Sequence, residues 1–252
     1  MRKGLQNLAR REYPGRVIII GKDRSGENVI VIYAITGRSP SSQARKLVEE
    51  DDIIWAKATD EEILKEGKIE LLVYPAACLY RGIAVSNGRQ TLDIKAGMGQ
   101  FQDPSEIISS TLSRWDYEPD PPIFTPRISG CVVSSKKAAL AIIKRGEDGS
   151  SIRDVFEFSL IAGKGKMIST YKGENKDPLV PFSGEPVDLE LNEKKSKDMA
   201  ESVYEALGPE GRSKDFRVAV ACIFSSNIES REYDVSIINK YERKKTIDGK
   251  NR

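Results

Sequence analysis

Arg16-Val17-Ile18-Ile19-Ile20-Gly21 and Asn28-Val29-Ile30-Val31-Ile32-Tyr33-Ala34-Ile35-Thr36, linked through Asp23-Arg24-Ser25-Gly26, decide how this chain is read. Both runs are dense in β-branched residues, and the residues between them carry turn chemistry, so together they predict a β-hairpin. Neither run alternates apolar with polar residues. Successive side chains of a strand point to opposite faces, so a continuous apolar run implies that both faces are covered. The hairpin is expected inside a sheet with packing on either side.

Outward from it, strands are expected at Ile53 to Ala58, Lys68 to Val73, Gly82 to Ser86, Arg127 to Val133 and Ala138 to Lys144. Others are expected at Val155 to Ile161, Met167 to Tyr171, Pro186 to Leu191, Phe216 to Phe224 and Tyr233 to Ile238. Helical pattern appears over Asp60 to Lys65, from Thr91 onward, over Ser105 to Trp115 and over Lys194 to Leu207. Asp103-Pro104 supplies an N-cap and a first helical residue, and Pro119, Pro121 and Pro122 stop that helix from continuing. Gly37 to Arg45 reads as a loop and the residues around Pro75 as a turn. Strands outnumber helices and come in hairpin-like pairs, which predicts an α+β fold of antiparallel sheets covered by helices. One domain is expected over residues 13–240, with residues 1–12 an N-terminal extension and 241–252 a charged tail.

The 252 residues carry 40 basic and 38 acidic side chains, a net charge of +2. No global field favours nucleic acid or a membrane surface, so anion recognition must be local and directed at a small molecule. No stretch is long enough to span a bilayer, and the charged start lacks a signal-peptide apolar core. Cys78, Cys131 and Cys222 each lie in an apolar run, as buried free thiols of a reducing, cytoplasmic setting would. The chain contains no histidine and no CxxC pair. Ser-His-Asp and Cys-His catalysis, His-ligated zinc and imidazole bases are thereby excluded. Glu, Asp, Tyr, Lys, Arg or Cys must move any protons. No phosphate loop or dinucleotide fingerprint is present.

Three polar clusters follow strand candidates. Gly37-Arg38-Ser39-Pro40-Ser41-Ser42-Gln43-Ala44-Arg45 combines forked arginines with hydroxyls and a stiffening proline, a composition suited to an anion. Tyr74 stands before Pro75 and is followed along the chain by Ser86-Asn87-Gly88-Arg89-Gln90-Thr91. Asp116-Tyr117-Glu118 precedes Thr125-Pro126-Arg127 at a strand start. Each alone is ordinary turn or surface composition.

Taken in order, Tyr13-Pro14-Gly15-Arg16, Tyr33 with Thr36-Gly37-Arg38-Ser39 and Arg45, Val85-Ser86-Asn87-Gly88, Asp116-Tyr117-Glu118 and Thr125-Pro126-Arg127-Ile128 resemble the archaeal-type inosine monophosphate (IMP) cyclohydrolases and their bacterial relatives. The likeness runs from about Tyr13 to Gly130. It implies a four-layer αββα fold similar to N-terminal-nucleophile hydrolases but without their chemistry, and Met1-Arg2-Lys3 indeed offers no terminal nucleophile. It implies ring closure of 5-formamidoimidazole-4-carboxamide ribonucleotide (FAICAR) to IMP with loss of water, with a purine ribonucleotide as partner and no cofactor or metal. Arg45, Tyr74 and Glu118 are the implied catalytic residues, with Glu118 the proton relay. Arg38, Ser39 and Arg127 are expected at the 5′-phosphate, and Asn87, Gly88 and Thr125 at the base or ribose. The arginine that takes the phosphate, Arg38 or Arg45, is left open. Two other readings of the same residues stand beside it: an amidohydrolase on the same scaffold, and a non-catalytic purine-nucleotide-binding or regulatory protein. Exposed sheet edges also leave room for a homo-oligomer.

Overall fold

The computed structural model describes residues 4–60, 62, 73–209, 211 and 214–243. The helix expected over Asp60 to Lys65 (all but Asp60 and Glu62), the strand expected over Lys68 to Val73 (all but its last residue) and most of the tail lie outside them.

Two antiparallel sheets form the α+β body. The first has six strands in the order β11 (Val187–Glu190), β10 (Lys164–Ser169), β1 (Arg16–Lys22), β2 (Val29–Thr36), β12 (Arg217–Asn227) and β13 (Glu232–Asn239). The second runs β3 (Arg45–Glu50), β4 (Ile53–Ala58), β5 (Tyr74–Leu79), β6 (Ile83–Ser86), β7 (Arg127–Val132), β8 (Lys137–Arg145) and β9 (Ser151–Ser159). Among the described residues the helices are α1 (Gln6–Ala9), α2 (Pro40–Gln43), α3 (Gln90–Gly97), α4 (Pro104–Leu112) and α5 (Ser196–Ala206).

The opening hairpin is β1–β2, at the middle of the six-stranded sheet, with Ile18 opposite Tyr33 and Ile20 opposite Val31. Its uninterrupted apolar sequence has a direct cause. Ile18, Ile20, Val29, Val31, Tyr33 and Ile35 face the other sheet, in a core shared with Ile54, Val85, Ile128 and Leu140. Val17, Ile19, Ile30 and Ile32 face the opposite way and pack with Leu5, Leu8, Met199, Val203 and Leu207 of the α1 and α5 regions. On the seven-stranded sheet, Cys78, Ala84, Cys131, Ala139 and Ala141 likewise meet Ile94 of α3 and Ile107, Ile108 and Leu112 of α4. All three cysteines are free and buried. Asp103 caps α4 by accepting from the backbone N–H groups of Ser105 and Glu106, with Pro104 at the first turn, as its sequence predicts.

Two strands depart from the expectation. The residues around Pro75 are not a turn but the start of β5. Pro75 sits opposite Trp55 where the β4–β5 register shifts, an irregularity at which the missing N–H is tolerated. The loop expected over Gly37 to Arg45 holds the short helix α2, capped by Ser39, and ends one residue earlier, where Arg45 opens β3. That strand buries only Arg45 and Leu47, so its sequence reads as polar although it is a sheet edge.

Asn239, at the end of β13, ties the two sheets together. Its Oδ1 accepts from Leu47 N–H (2.8 Å) and its Nδ2 donates to Leu47 C=O (2.9 Å), satisfying both groups of the β3 edge in a buried setting. Asn239→Ala leaves a buried donor and acceptor unmade and is expected to cost about 2–4 kcal/mol in chemical denaturation, at unchanged m-value. Among the described residues no helix is long and apolar enough to cross a membrane.

Candidate active site

At one end of the two sheets, strand termini bring buried polar side chains together. Register explains why they point inward. Arg16 shares a face of β1 with Ile18 and Ile20, Tyr33 lies among the inward residues of β2, Arg45 is two residues before inward Leu47, and Tyr74 is two before inward Ala76. Tyr33 of one sheet and Tyr74 of the other meet hydroxyl to hydroxyl at 2.7 Å, both fully buried.

Two guanidiniums flank this pair without matching carboxylates. Arg45 is 1% exposed, and its Nε donates to Ser42 C=O (3.1 Å), while Nη1 and Nη2 have no hydrogen-bond partner among the described residues. Arg16 is 9% exposed and its Nε is likewise without a partner. Burial pushes the Arg45 pKa down, and the nearby Arg16 charge pushes it the same way. Burial also works against the Arg16 charge, but Tyr74, Glu118 and Tyr33 outweigh it and hold that group firmly protonated. Burial, and then the neighbouring Tyr74, raises the Tyr33 pKa well above its ordinary value. Buried donors left unpaired are costly, and a pair of cations facing one space is a ready anion site.

Glu118 lies in the segment between α4 and β7 and is 3% exposed. Its backbone N–H donates to Thr125 C=O (2.9 Å). Its Oε1 accepts from Asn87 Nδ2 (3.1 Å) and faces Arg127 Nη1 at 3.9 Å. Burial raises its pKa to about 7, overriding the opposing pull of Arg16, Arg127 and Arg45, and Asp120 adds to the rise. A carboxyl with that affinity can both take and return a proton near neutrality.

The surrounding network holds this carboxyl in place. Asn87 Nδ2 also donates to Pro126 C=O (2.9 Å), and its Oδ1 accepts from Ile128 N–H (2.8 Å) and Gln90 Nε2 (3.2 Å). Gln90 Oε1 in turn accepts from Arg127 Nη1 (3.2 Å), and Arg127 Nε donates to Asp116 C=O (2.8 Å) beneath the Trp115 ring. Glu118, Asn87, Gln90 and Arg127 thus close a ring. All the hydrogen-bonding positions of the Asn87 amide are filled by the protein, so it positions Glu118 and has nothing left for a base or ribose. The Thr125 hydroxyl is also engaged, donating to Asp120 Oδ2 (2.6 Å) and meeting Tyr171 OH at 3.0 Å.

Gly88 is the floor of that ring. A Cβ there would stand 2.5 Å from Gln90 Oε1 and 2.7 Å from Arg127 Nη1, so both side-chain ends would have to move. Gly88→Ala is expected to lower turnover roughly tenfold or more by displacing Arg127 from Glu118, with little change in unfolding temperature. Paired kinetics and calorimetry check both halves.

Arg38 and Ser39 lie further out. Arg38 pairs with Asp177 (2.9 Å) and covers the Tyr13 ring, which stacks on Tyr171. The exposed Ser39 hydroxyl caps α2, accepting from Ser42 N–H in a reciprocal capping box. Arg127 and Arg38 therefore have no partner in common. Arg16, Tyr33, Gln90 and Tyr171 join the site, although the sequence alone assigns them no role. The available signal was parity: a charged or phenolic residue on the inward face of a strand end. Among the described residues no group of three metal-ligating side chains is arranged for an ion.

Residues 13–229 match the family described as IMP cyclohydrolase-like protein. No curated protein matches the chain.

Proposed function

Because the chain belongs to the IMP cyclohydrolase-like family, we propose that it closes the purine ring, converting FAICAR to IMP and water. The observation that carries this reading is a buried carboxyl poised near neutrality, Glu118, beside a phenol pair and two buried guanidiniums with free donors. The scaffold is read as a four-layer αββα sandwich of the N-terminal-nucleophile-hydrolase type, which the packing of α3 and α4 on one outer face and α1 and α5 on the other supports. Three reduced, buried thiols support a cytoplasmic setting.

The reaction is intramolecular, so holding the reactive rotamer supplies much of the acceleration. The carboxamide nitrogen attacks the formyl carbon and the formyl C=O becomes an alkoxide. Tyr74, supported by Tyr33, donates to that oxygen as charge develops. Glu118 takes a proton from the attacking nitrogen and passes it to the alkoxide, giving a hydroxyl. The former formamide N–H then gives up its proton as the C=N bond forms, and that second proton, relayed through the same carboxyl, lets the hydroxyl leave as water. Atoms balance without an oxidant or a second substrate. The free Nη atoms of Arg45, with Arg16 beside them, favour Arg45 over the already paired Arg38 for the 5′-phosphate. Arg38 then guards the entrance, and Asn87 and Arg127 set the position of Glu118.

Purified protein incubated with FAICAR is expected to produce IMP, followed by the ultraviolet change on ring closure and by chromatography. Binding of IMP without turnover would instead identify a nucleotide-binding protein, and release of formate would identify an amidohydrolase.

A further inference from the structure

β9 ends the seven-stranded sheet and pairs only with β8 among the described residues. Of the other three edges, β11 is short and bonded by Gly4 and Asn7, β3 is held by Asn239, and β13 pairs with β12 through a shifted register. Among the described residues β9 has no such cover or irregularity. It spans nine residues in unbroken register with β8, contains no proline, and exposes Val155 at 37% and Ile152 at 41%. A long regular edge with apolar residues is a template for another strand.

The backbone fixes which residues that strand would meet. Leu160 N–H donates to Lys136 C=O and Ser150 C=O accepts from Gly146 N–H, so the even-numbered residues direct their backbone groups toward β8. By alternation, residues 151, 153, 155, 157 and 159 present theirs to the open edge. Their side chains, Ser151, Arg153, Val155, Glu157 and Ser159, lie on the outer face, opposite Arg145, Ile143, Ala141, Ala139 and Lys137. This series is self-complementary when reversed. With a two-fold axis at Val155, an antiparallel β9–β9 pairing sets serine against serine, Arg153 against Glu157 of the second copy, and valine against valine. Opposite charges directly across an antiparallel pair favour that register, and both ionic pairs form by the same symmetry.

We propose that the β9 edge is an isologous interface with a second copy of this chain, joining two seven-stranded sheets into one continuous sheet. The interface adjoins the site, because Ser151 and Arg153 already hold Asp116 (2.7 and 3.0 Å), two residues before Glu118.

Sedimentation velocity on the intact protein tests the register. The wild type is expected to sediment as a dimer at micromolar concentration. Arg153→Glu and Glu157→Arg each place like charges at two symmetric positions and are expected to raise the dissociation constant roughly tenfold or more. The double variant R153E/E157R restores opposite pairs and is expected to recover the dimer. Val155→Lys, with two lysines at the axis, is expected to be monomeric, with circular dichroism confirming that it is folded. A monomeric wild type, single variants that dimerise normally, or a double variant that stays monomeric while folded would each overturn the proposal.

Discussion

Glu118→Gln is expected to lower the ring-closure rate by about 10²–10⁴ while leaving IMP binding nearly unchanged. The amide keeps the acceptor for Asn87 but cannot take a proton. The wild-type kcat/KM is expected to rise with pH through a midpoint near 7, as the free carboxylate forms, and this limb should disappear in the variant. Stability supplies an independent readout with its own sign. The Glu118 carboxyl is shifted up from 4.5 to about 7, so between those values the native state binds the proton more tightly than the unfolded chain does. Wild-type stability contributed by this group is therefore fully present below about 4.5 and lost as pH rises through about 7. The variant should escape a penalty of about 3 kcal/mol at alkaline pH, a net figure that already includes the attraction of Arg16, Arg127 and Arg45. A variant that turns over normally would remove Glu118 from the relay, even if the stability difference appeared as expected.

Arg45→Met is expected to produce the opposite pairing of effects, tighter folding and weaker binding. The guanidinium is buried with two donors unmade, so an apolar side chain of similar length should stabilise the protein by about 1–3 kcal/mol. Removing two charge-assisted bonds to a phosphate should weaken IMP binding by about 10²-fold or more. Inosine, which lacks the phosphate, separates the two places this arginine can act. If Arg45 holds the phosphate, IMP and inosine should bind the variant almost equally. If it serves the reacting atoms, the preference for IMP should survive and turnover should fall. A loss of stability on removing Arg45 would contradict a guanidinium held there with both Nη atoms unpaired.

The two-faced burial of β1 and β2 was legible because residues 17–20 and 29–35 have no polar interruption, and only packing on both sides explains that. The cap at Asp103 and the apolar face of α4 were legible for the same kind of local reason. β5 was not, because Pro75 ordinarily argues against a strand and its tolerance depends on a register shift set by β4. β3 was hidden by its charged residues, which an edge strand can carry facing solvent. At the site, Arg45, Tyr74 and Glu118 received roles only through the family resemblance, and Arg16, Tyr33 and Gln90 received none, since each needs its partner from another element to look unusual. Asn87 was expected at the ligand through the same resemblance, and only the structure shows its four amide positions filled, one of them by Glu118.

By itself the sequence determined that this is an α+β chain with a hairpin buried on both faces and with polar clusters that must work without histidine. Those properties come from composition and from periodicity along neighbouring residues. Tertiary structure alone decided that Tyr33 meets Tyr74 across the sheets, that Arg16 and Arg45 are buried near each other with guanidinium nitrogens unpaired among the described residues, and that Glu118 is desolvated enough to titrate near 7. The reason is physical: hydrogen-bond geometry and desolvation depend on which residues, distant in the chain, are packed together, and no local pattern encodes that.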